Sequence, residues 1–399
     1  MTASVLVYCQ HSLGMGHLVR SLAVAGALTE RFRVMVLNGG RMPKAIYVPP
    51  GVQVVNMPPL GINEVNQMVS HDRRTSVERA LDSRKKMIRT CLDNLHPAVV
   101  LVEFFPFGRK NFAVELLPLL QAARSDETRA LVVCSVRDIL SGKKENQQKS
   151  DDRAAALANE YFDLVLVHSD PSFARFNESF HPSVALEVPV IHTGFVAQRA
   201  NVTSIFRATR KRIVVSAGGG VAGEALLRMA IEAHDHFDDP EIEMKLIAGP
   251  FLPDEAWNKL RSLARGKRQL SLVKYVANLF EEMRGAAASV SQAGYNTCVD
   301  ILRAGVPALI VPFSKDNDGE QYKRALRLQH LGAVRMLWEK DHSPARLAAE
   351  IQELMKFKVT NPKFDLNGAQ TSAGVIERML TSTHTKARAA LANEMRYVN

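Results

Sequence analysis

A histidine that follows two closely spaced glycines near the start of the chain is the first group with clear chemical potential. Gly14 and Gly16 allow a tight turn and let the backbone approach a ligand closely. His17 begins the next helix, whose N-terminus favours a phosphate or a developing negative charge. An imidazole in this position can also take a proton near neutral pH. The segment predicts an anion site with His17 as general base, and a purely structural turn is the alternative.

A carboxylate follows the apolar run Ala98–Val102, where Glu103 precedes an aromatic segment. Since a buried strand ends here, Glu103 should lie at the same edge of the sheet as the loop before His17. We predict that it acts as a second base or as a ligand for an acceptor. The alternative is a salt-bridged acid beside aromatic side chains.

Three successive glycines, Gly218, Gly219 and Gly220, form a second loop between a strand and a helix. Such a loop exposes backbone N–H groups, which are suited to a diphosphate. The pattern therefore predicts a phosphate-binding loop, and a flexible turn is the alternative.

The most specific pattern runs from Ser291 to Asp300. A strand ends at Ser291, Gly294 provides a turn, and a helix is predicted over Tyr295–Ala304. Asp300 would lie one to two turns along this helix, where its carboxylate could accept two hydrogen bonds from a ribose diol. An exposed helix acid is the alternative.

A polar loop then leads into a further helix at Glu320 and Gln321. A carboxylate and an amide suit the hydroxyls of a sugar, and a plain helix-capping loop explains them equally well.

Two common nucleotide-binding patterns are missing. The turn at Gly16 lacks the third glycine of a dinucleotide fingerprint, and the second strand ends in Asn38 rather than in an acid that could hold a ribose. The 399 residues contain no GxxxxGK[ST] phosphate loop. NAD-linked redox chemistry and P-loop hydrolysis are therefore disfavoured.

Strand and helix signals alternate along nearly the whole chain, which is typical of parallel sheets with crossover helices. The alternation of strand and helix signals is interrupted between about residues 187 and 210 and then resumes. Ligands bind beyond the carboxyl ends of such strands, so that two facing halves would share one cleft. The sequence predicts an α/β protein with two Rossmann-like domains, 1–200 and 201–372, and a C-terminal helix over 373–399 that crosses back to the first domain.

Composition is that of a globular protein, with 46% hydrophobic and 23% charged residues and a net charge of +10. No apolar run approaches the roughly 18 residues of a membrane span. Four widely separated cysteines predict reduced thiols, and no residue spacing indicates a metal site. We expect a cytoplasmic protein without a nucleic-acid partner. Its positive charge leaves open a loose attraction to the inner face of a membrane.

The order of these segments resembles the MurG-type family, the bacterial N-acetylglucosaminyltransferases of peptidoglycan synthesis, and related glycosyltransferases. His17 matches the histidine of the family's GxGGH-like loop, and Gly218–Gly220 match the glycine-rich loop of its second domain. The family helix S-x-S-G-x-x-T-x-x-E is matched by Ser291, Gly294, Thr297 and Asp300. The resemblance implies a GT-B fold, a UDP-sugar donor, no cofactor, and inversion at the anomeric carbon without a metal.

The resemblance also implies a role for each domain. The first would bind an unknown acceptor, lipid-linked or small, and provide His17 and Glu103 for catalysis. In the second, the segment Val276–Leu279 would hold the base, Asp300 the ribose, the glycine loop the diphosphate, and the Glu320–Gln321 pair the sugar. The full set of predicted donor-binding residues is Gly14, Gly16, Gly218, Gly219, Gly220, Val276, Leu279, Gly294, Tyr295, Asn296, Thr297, Asp300, Glu320 and Gln321.

Some positions depart from the family pattern. A glycine stands where the diphosphate loop has a serine, and Ala293 replaces the second serine of the helix motif. Asp300 is one methylene shorter than the family glutamate. Glu320 replaces one of two neighbouring glutamines, which leaves the identity of the donor sugar open.

Two other functions fit the same residues. The loop Leu13–Arg20 is also similar to that of nucleotide-sugar hydrolases from bacterial nonulosonic acid pathways, in which the histidine would activate water. A nucleotide-sugar hydrolase or epimerase is therefore the alternative enzyme. A protein that binds a nucleotide sugar as a signal, without turnover, is the alternative outside the enzymes.

Overall fold

The structure, a computed structural model, describes residues 2–12, 14–44, 46–63, 65–125, 127–140, 146–198, 211–220, 222–313 and 319–382. The chain divides into two compact units. The first contains the chain up to Gln198, except for a short segment at Pro43, and the chain again from Phe364. The second contains the intervening residues up to Lys363.

The first unit is built on a parallel sheet. Its strands are β1 (Ser4–Cys9), β2 (Arg33–Asn38), β3 (Val52–Asn56), the hairpin strands β4 (Leu60–Ile62) and β5 (Met68–Ser70), β6 (Val99–Glu103), β7 (Leu131–Arg137), β8 (Leu164–His168) and β9 (Val190–His192). The sheet has the order β3-β2-β1-β6-β7-β8-β9, with the hairpin separate. In β1, Leu6 and Tyr8 join one hydrophobic cluster while Val5 and Val7 join another. Both faces of the sheet are therefore covered, which explains the continuous apolar strands.

Four helices accompany these strands, namely α1 (Gly16–Leu28), α2 (Val77–Leu95), α3 (Ala113–Ala123) and α4 (Gln147–Tyr161). The buried face of α1 includes Leu18, Leu22 and Ala25, the residues whose spacing predicts this helix. Among the helices in the described part of the chain, none is long and apolar enough to cross a membrane.

The second unit repeats the plan with a six-stranded parallel sheet. Its strands are β10 (Arg212–Ser216), β11 (Glu243–Ile247), β12 (Leu270–Val273), β13 (Ala288–Ser291), β14 (Ala308–Ile310) and β15 (Arg335–Met336). Its helices are α5 (Glu224–Ala233), α6 (Asp254–Ala264), α7 (Leu279–Arg284), α8 (Tyr295–Ala304), α9 (Glu320–His330) and α10 (Pro344–Leu354). The strand order β12-β11-β10-β13-β14-β15 puts β10 and β13 at the centre.

The last helix of the described residues, α11 (Gly368–Thr381), belongs to the first unit. Its sequence predicts a start near residue 373, but the chain returns to the first unit at Phe364, before the helix begins. Backbone hydrogen bonds from Phe195 to Asp365 (2.7 Å) and from Gly368 to Phe195 (3.0 Å) hold this return. These pairings join residues far apart in the chain, so that local periodicity does not reveal them.

A buried polar network connects the ends of the first strands of this unit. Arg84 of α2 pairs with Glu115 of α3 at 2.5 Å (Nη2 to Oε1) and 2.8 Å (Nε to Oε2). The same guanidinium donates to the carbonyls of Gly39 and Pro58 at 2.7 and 3.0 Å. Tyr8 donates its hydroxyl proton to Glu115. The side chains of Arg84 and Glu115 are both inaccessible to solvent, so that the charge of each is balanced mainly by the other.

We expect Arg84→Met to destabilise the first unit by about 3–5 kcal/mol, because it leaves the buried Glu115 carboxylate without a counter-ion. Calorimetric melting should show a decrease in the melting temperature on the order of 10 °C. Arg89→Met is the matched control on the same helix, since Arg89 is 62% exposed in its pair with Asp93 and should change stability by less than about 1 kcal/mol. Equal melting of the two variants would contradict the importance of the network.

Candidate active site

The loop between β1 and α1 leads to His17, the second residue of α1. Met15 precedes the helix without capping it through a side-chain hydrogen bond, and no acidic residue occupies the first turn. A Cβ placed on Gly14 would meet no atom within 4 Å. The amino end of α1 therefore keeps its partial positive charge and has open space beside it.

His17 contacts Glu103 at the end of β6. The distance from His17 Nδ1 to Glu103 Oε1 is 2.5 Å, and Arg20 donates a hydrogen bond to the same oxygen. The side chain of Glu103 is fully buried, whereas that of His17 is 17% exposed. Because an ionised carboxylate only accepts, Nδ1 carries the proton, and Nε2 is the atom of the ring that can accept another.

The electrostatic surroundings keep His17 neutral. Burial is the main cause that lowers the pKa of His17 to about 3; Arg109 and Arg20 add to this effect, and Glu103 opposes it. Burial alone would raise the pKa of Glu103, but its contacts with His17 and Arg20 outweigh burial and hold that pKa below its usual range. At neutral pH a neutral imidazole, with its one proton on Nδ1, therefore faces an ionised carboxylate.

Glu103 has the contacts of a salt-bridged acid beside an aromatic ring, and its catalytic role stays a prediction. A fully buried carboxylate that is paired with Arg20 is a poor proton acceptor. The Phe104 ring lies 5.5 Å from the imidazole of His17, between ring centroids. The contact with Glu103 fixes the tautomer and orientation of the His17 ring.

In the second unit, the glycine loop lies between β10 and α5. Gly218 and Gly220 have positive φ angles of 60° and 95°, and a Cβ on Gly220 would lie 2.6 Å from the carbonyl oxygen of Ala248. Two backbone N–H groups of this loop are used internally, since Gly220 donates to the carbonyl of Ala217 (3.2 Å) and Gly218 to Ser216 Oγ (3.3 Å). Within the residues that the structure covers, the N–H of Gly219 donates no hydrogen bond.

Gly294 precedes α8 and has the extended backbone of an N-cap residue. Tyr295 and Thr297 of this helix are buried, and Asn296 is partly buried. Asp300 is partly buried and forms no hydrogen bond or ion pair in the described part of the chain. Burial raises the pKa of Asp300 to about 7, and Arg303 opposes this shift.

Gln321, at the start of α9, connects neighbouring loops. Its Oε1 accepts hydrogen bonds from the backbone N–H groups of Ala293 and Phe313, each at 3.1 Å. The buried Arg324 donates to the carbonyl of Ala293 at 2.6 Å. The amide oxygen of Gln321 is thus used internally, so that only its amide nitrogen can reach a ligand. Glu320 is the first residue of α9, and the preceding residues 314–318 lie outside the described residues.

The structure brings three of the predicted loops together at the carboxyl ends of β10, β13 and β14. Gln292 Nε2 donates to the carbonyl of Ala222 at 2.9 Å, which joins the turn before α8 to the glycine loop. Gln321 joins the same turn to α9. Val276 and Leu279 lie instead beyond the edge strand β12, and Leu279 begins α7.

Several residues of these sites are not found by sequence reasoning. Gly249, with a φ of 90°, packs against the glycine loop, and its position two residues after the end of β11 is the signal that could reveal it. Arg20 lies one turn after His17 on α1, but nothing in the sequence connects it with Glu103. Tyr275 is half exposed beside Val276. In the described residues no group of three or more His, Cys, Asp or Glu side chains could hold a metal ion.

Residues 213–378 match the family described as the glycosyltransferase family 28 C-terminal domain. The match covers nearly all described residues of the second unit and most of α11.

The curated relatives align with only part of the chain. A UDP-N-acetylglucosamine–N-acetylmuramyl-(pentapeptide) pyrophosphoryl-undecaprenol N-acetylglucosamine transferase of Bacillus cytotoxicus is 26% identical over 146 residues, which are 36% of this chain and 40% of that protein. The corresponding enzyme of Oenococcus oeni is 24% identical over 142 residues, 35% of this chain and 38% of that protein. The chain therefore spans about two fifths of the length of these relatives.

Solved structures match over almost the whole chain. MurG of Acinetobacter baumannii covers 98% of this chain, with 99% of its own chain matched, a TM-score of 0.51 and 14% identity. A UDP-glucosyltransferase from Polygonum tinctorium covers 99% of each chain with a TM-score of 0.60 and 14% identity. The predicted GT-B fold and the resemblance to MurG-type proteins are confirmed.

We expect Asp300→Asn to stabilise the protein at pH 8 by about 1–3 kcal/mol, because it removes a partly buried charge without a partner. The raised pKa of Asp300 sets the pH range in which this charge destabilises the folded protein. Below about pH 4 the carboxyl is protonated in both the folded and the unfolded chain, so that it has no effect on stability. Between there and about pH 7 the loss of stability from ionising the carboxyl develops. The melting temperature of Asp300→Asn should exceed that of the wild type at pH 8 but not at pH 4. Glu255→Gln is the control, since Glu255 is 81% exposed. Its melting temperature relative to the wild type should be the same at both pH values. A gain of equal size at both pH values would contradict this interpretation.

Proposed function

We propose that the protein is an inverting glycosyltransferase that moves a sugar from a UDP-sugar to a hydroxyl or amine of an acceptor, without a metal. The observation that carries the proposal is the 2.5 Å contact between His17 Nδ1 and Glu103 Oε1 in a chain that also has a family 28 domain. Because Glu103 takes the protonated side of the ring, Nε2 is the side available to an acceptor.

The second unit would bind the donor. The diphosphate would accept hydrogen bonds from the glycine loop, where the N–H of Gly219 has no acceptor among the residues described. The ribose hydroxyls would donate to Asp300, whose carboxylate is likewise without a partner there. Gln321 would offer its amide nitrogen to the sugar. The base would lie along the segment Val276–Leu279, next to the half-exposed Tyr275.

The reaction would be a single displacement. The acceptor hydroxyl gives its proton to Nε2 of His17 while its oxygen forms a bond to the anomeric carbon. The bond from that carbon to the diphosphate oxygen breaks in the same step, and UDP leaves with the electron pair. Glu103 stays ionised and stabilises the imidazolium that forms. Attack opposite to the leaving group inverts the anomeric centre.

The classes of donor and acceptor rest on the names of the relatives. The Bacillus cytotoxicus protein is named as a transferase from UDP-N-acetylglucosamine to a pyrophosphoryl-undecaprenol acceptor. The Polygonum tinctorium enzyme is described as a UDP-glucosyltransferase capable of glucosylating indoxyl. A UDP-sugar is common to both, and it is the donor that we propose. Lipid-linked and small acceptors are the two classes to be tested, and the first would require association with a membrane surface.

We expect His17→Ala to lower turnover by about 10²–10⁴ because the general base is lost, while the affinity for the donor changes little. Release of UDP in the presence of candidate acceptors measures turnover, and calorimetry measures donor affinity. His181→Ala, at an exposed histidine of the same unit, is the control and should keep full activity.

The same assay separates transfer from hydrolysis. A transferase should release free sugar only slowly and accelerate strongly when its acceptor is added, whereas a hydrolase should reach full rate in water alone. Full turnover in His17→Ala would remove His17 from the mechanism.

Binding of UDP-glucose should depend on pH through Asp300. Since the raised pKa of Asp300 is about 7 and only the carboxylate can accept two hydrogen bonds, the affinity should be about tenfold weaker at pH 6 than at pH 8. The diphosphate of UDP-glucose does not titrate in this range. Asp300→Asn should abolish the pH dependence, and Asp300→Ala should weaken binding at pH 8 by about 1.5–3 kcal/mol. Calorimetry that finds equal affinities at pH 8 for the wild type and Asp300→Ala would exclude Asp300 from the donor site.

A further inference from the structure

Exposed aromatic side chains are concentrated at one edge of the second sheet. Among the large apolar side chains that are exposed in the described part of the chain, four are aromatic, namely Tyr47, Tyr275, Phe313 and Trp338. The last three follow the strands β12, β14 and β15, and each stands within three residues of the end of its strand. They therefore lie at the carboxyl ends of parallel strands, where ligands of such sheets bind.

Two of these residues belong to one aromatic cluster, which we define as Phe313, Tyr322 and Trp338. The rings of Tyr322 and Trp338 meet edge to face, with 5.9 Å between their centroids. Tyr322 directly follows Gln321 in the first turn of α9. Gln321 Oε1 in turn accepts a hydrogen bond from the backbone N–H of Phe313 at 3.1 Å. The aromatic cluster therefore adjoins the residue that we assign to the donor sugar.

The protein covers this cluster only in part. Trp338 is 37% exposed, Phe313 is 46% exposed, and Tyr322 is partly buried. Aromatic surface in contact with water is unfavourable, and neighbouring exposed aromatic groups at a ligand-binding edge indicate an interaction surface. Tryptophan and tyrosine are also the side chains that most often contribute a large share of a binding energy.

The chemistry of the cluster and its surroundings suits a sugar. A pyranose ring carries hydroxyl groups at its rim and apolar C–H groups on its faces. Sites for such rings therefore combine hydrogen-bonding side chains with an aromatic surface. Gln321 offers its amide nitrogen on one side, and the indole of Trp338 offers an aromatic surface beyond Tyr322. One ligand ring between them would use both kinds of contact.

A nucleobase also stacks on an indole, but the order of the sheet places the proposed base segment elsewhere. The segment Val276–Leu279 follows β12, the first strand in the order β12-β11-β10-β13-β14-β15, whereas Trp338 follows β15, the last. The strands β14 and β15 are direct neighbours, so that the loops carrying Phe313 and Trp338 begin about 4.8 Å apart. This spacing is comparable to the width of a pyranose ring.

We propose that Trp338, supported by Tyr322, is a specificity-determining residue for the donor, and that the apolar face of the transferred sugar packs against its indole. This inference rests on the proposed function for the identity of the donor, but the packing itself does not require turnover. The sugar gains affinity from the contact, whereas UDP without its sugar does not reach Trp338. Removal of the indole therefore affects the sugar-bearing ligand alone.

Calorimetry on the full chain tests this difference. UDP-glucose and UDP-N-acetylglucosamine are titrated first, and the one that binds more tightly is the probe. Trp338→Ala should weaken binding of that probe by about tenfold because the apolar contact is lost. The affinity for UDP should stay within about twofold, which also shows that the variant is folded. Trp338→Phe keeps an aromatic surface and should lose no more than about threefold.

Leu331→Ala is the matched control. Leu331 is exposed to a similar degree as Trp338, at 39%, but it stands at the other end of α9. Because α9 connects the carboxyl end of β14 to the amino end of β15, Leu331 lies at the opposite edge of the sheet from Trp338. This variant should bind both the probe and UDP as the wild type does.

Fluorescence reports the contact directly. The sequence contains two tryptophans, Trp257 and Trp338, so that in Trp257→Phe the indole emission comes from Trp338 alone. The probe should shift this emission to shorter wavelength, because the sugar removes water from the indole, whereas UDP should leave it in place. In Trp338→Phe, where Trp257 is the remaining indole, the probe should cause no such shift.

Two results would overturn the inference. One is an equal loss of affinity for the probe and for UDP in Trp338→Ala. The other is an unchanged affinity for the probe, and a raised KM for the acceptor in that variant would then assign the cluster to the acceptor. Failure of the proposed function looks different. If binding of the probe depends on Trp338 but no sugar is transferred, the transferase proposal fails and the sugar contact stands. A chain that binds no UDP-sugar at all would contradict both.

Discussion

The carboxylate of Glu103 is fully buried at the end of β6, with Arg20 as its counter-ion. An ionised carboxyl group in this environment requires both a compensating charge and hydrogen bonds, and Arg20 provides them from α1. His17 lies one turn before Arg20 on the same face of the helix. The rotation of α1 that pairs Arg20 with Glu103 therefore also brings the imidazole to that carboxylate. One buried ion pair thus fixes the position of the His17 ring, its tautomer and the ring nitrogen that remains available.

The two units stabilise their loops by different means. The first uses buried charge, since Arg84 and Glu115 form a second inaccessible pair that ties together the loops after β1 and β2. The second uses close backbone contact, in which Gly220 and Gly249 approach each other at distances that no side chain would allow. Gln321 and Arg324 then hold the turn before α8 through its backbone. The loops of the second unit are therefore held largely through backbone groups, and those of the first through charged side chains.

The second unit retains a carboxylate, that of Asp300, which forms no hydrogen bond or ion pair in the described part of the chain. A partly buried charge without such partners lowers stability, and groups of this kind are concentrated where ligands provide the missing partner. The ribose hydroxyls of the proposed donor would be partners of the required kind.

The sequence by itself determined the α/β class, most strand positions and the helix Tyr295–Ala304, because continuous apolar runs and glycine turns are local signals. It also pointed to His17, Gly218–Gly220 and Asp300, since each stands at the end of a strand or in the helix that follows. Only the tertiary structure decided the pairing of Glu103 with Arg20, the pairing of Arg84 with Glu115 and the approach of Gly249 to the glycine loop. These features depend on which residues the crossover connections bring together across tens of positions, and the energy of a buried charge is set by its neighbours in space rather than by its neighbours in the chain.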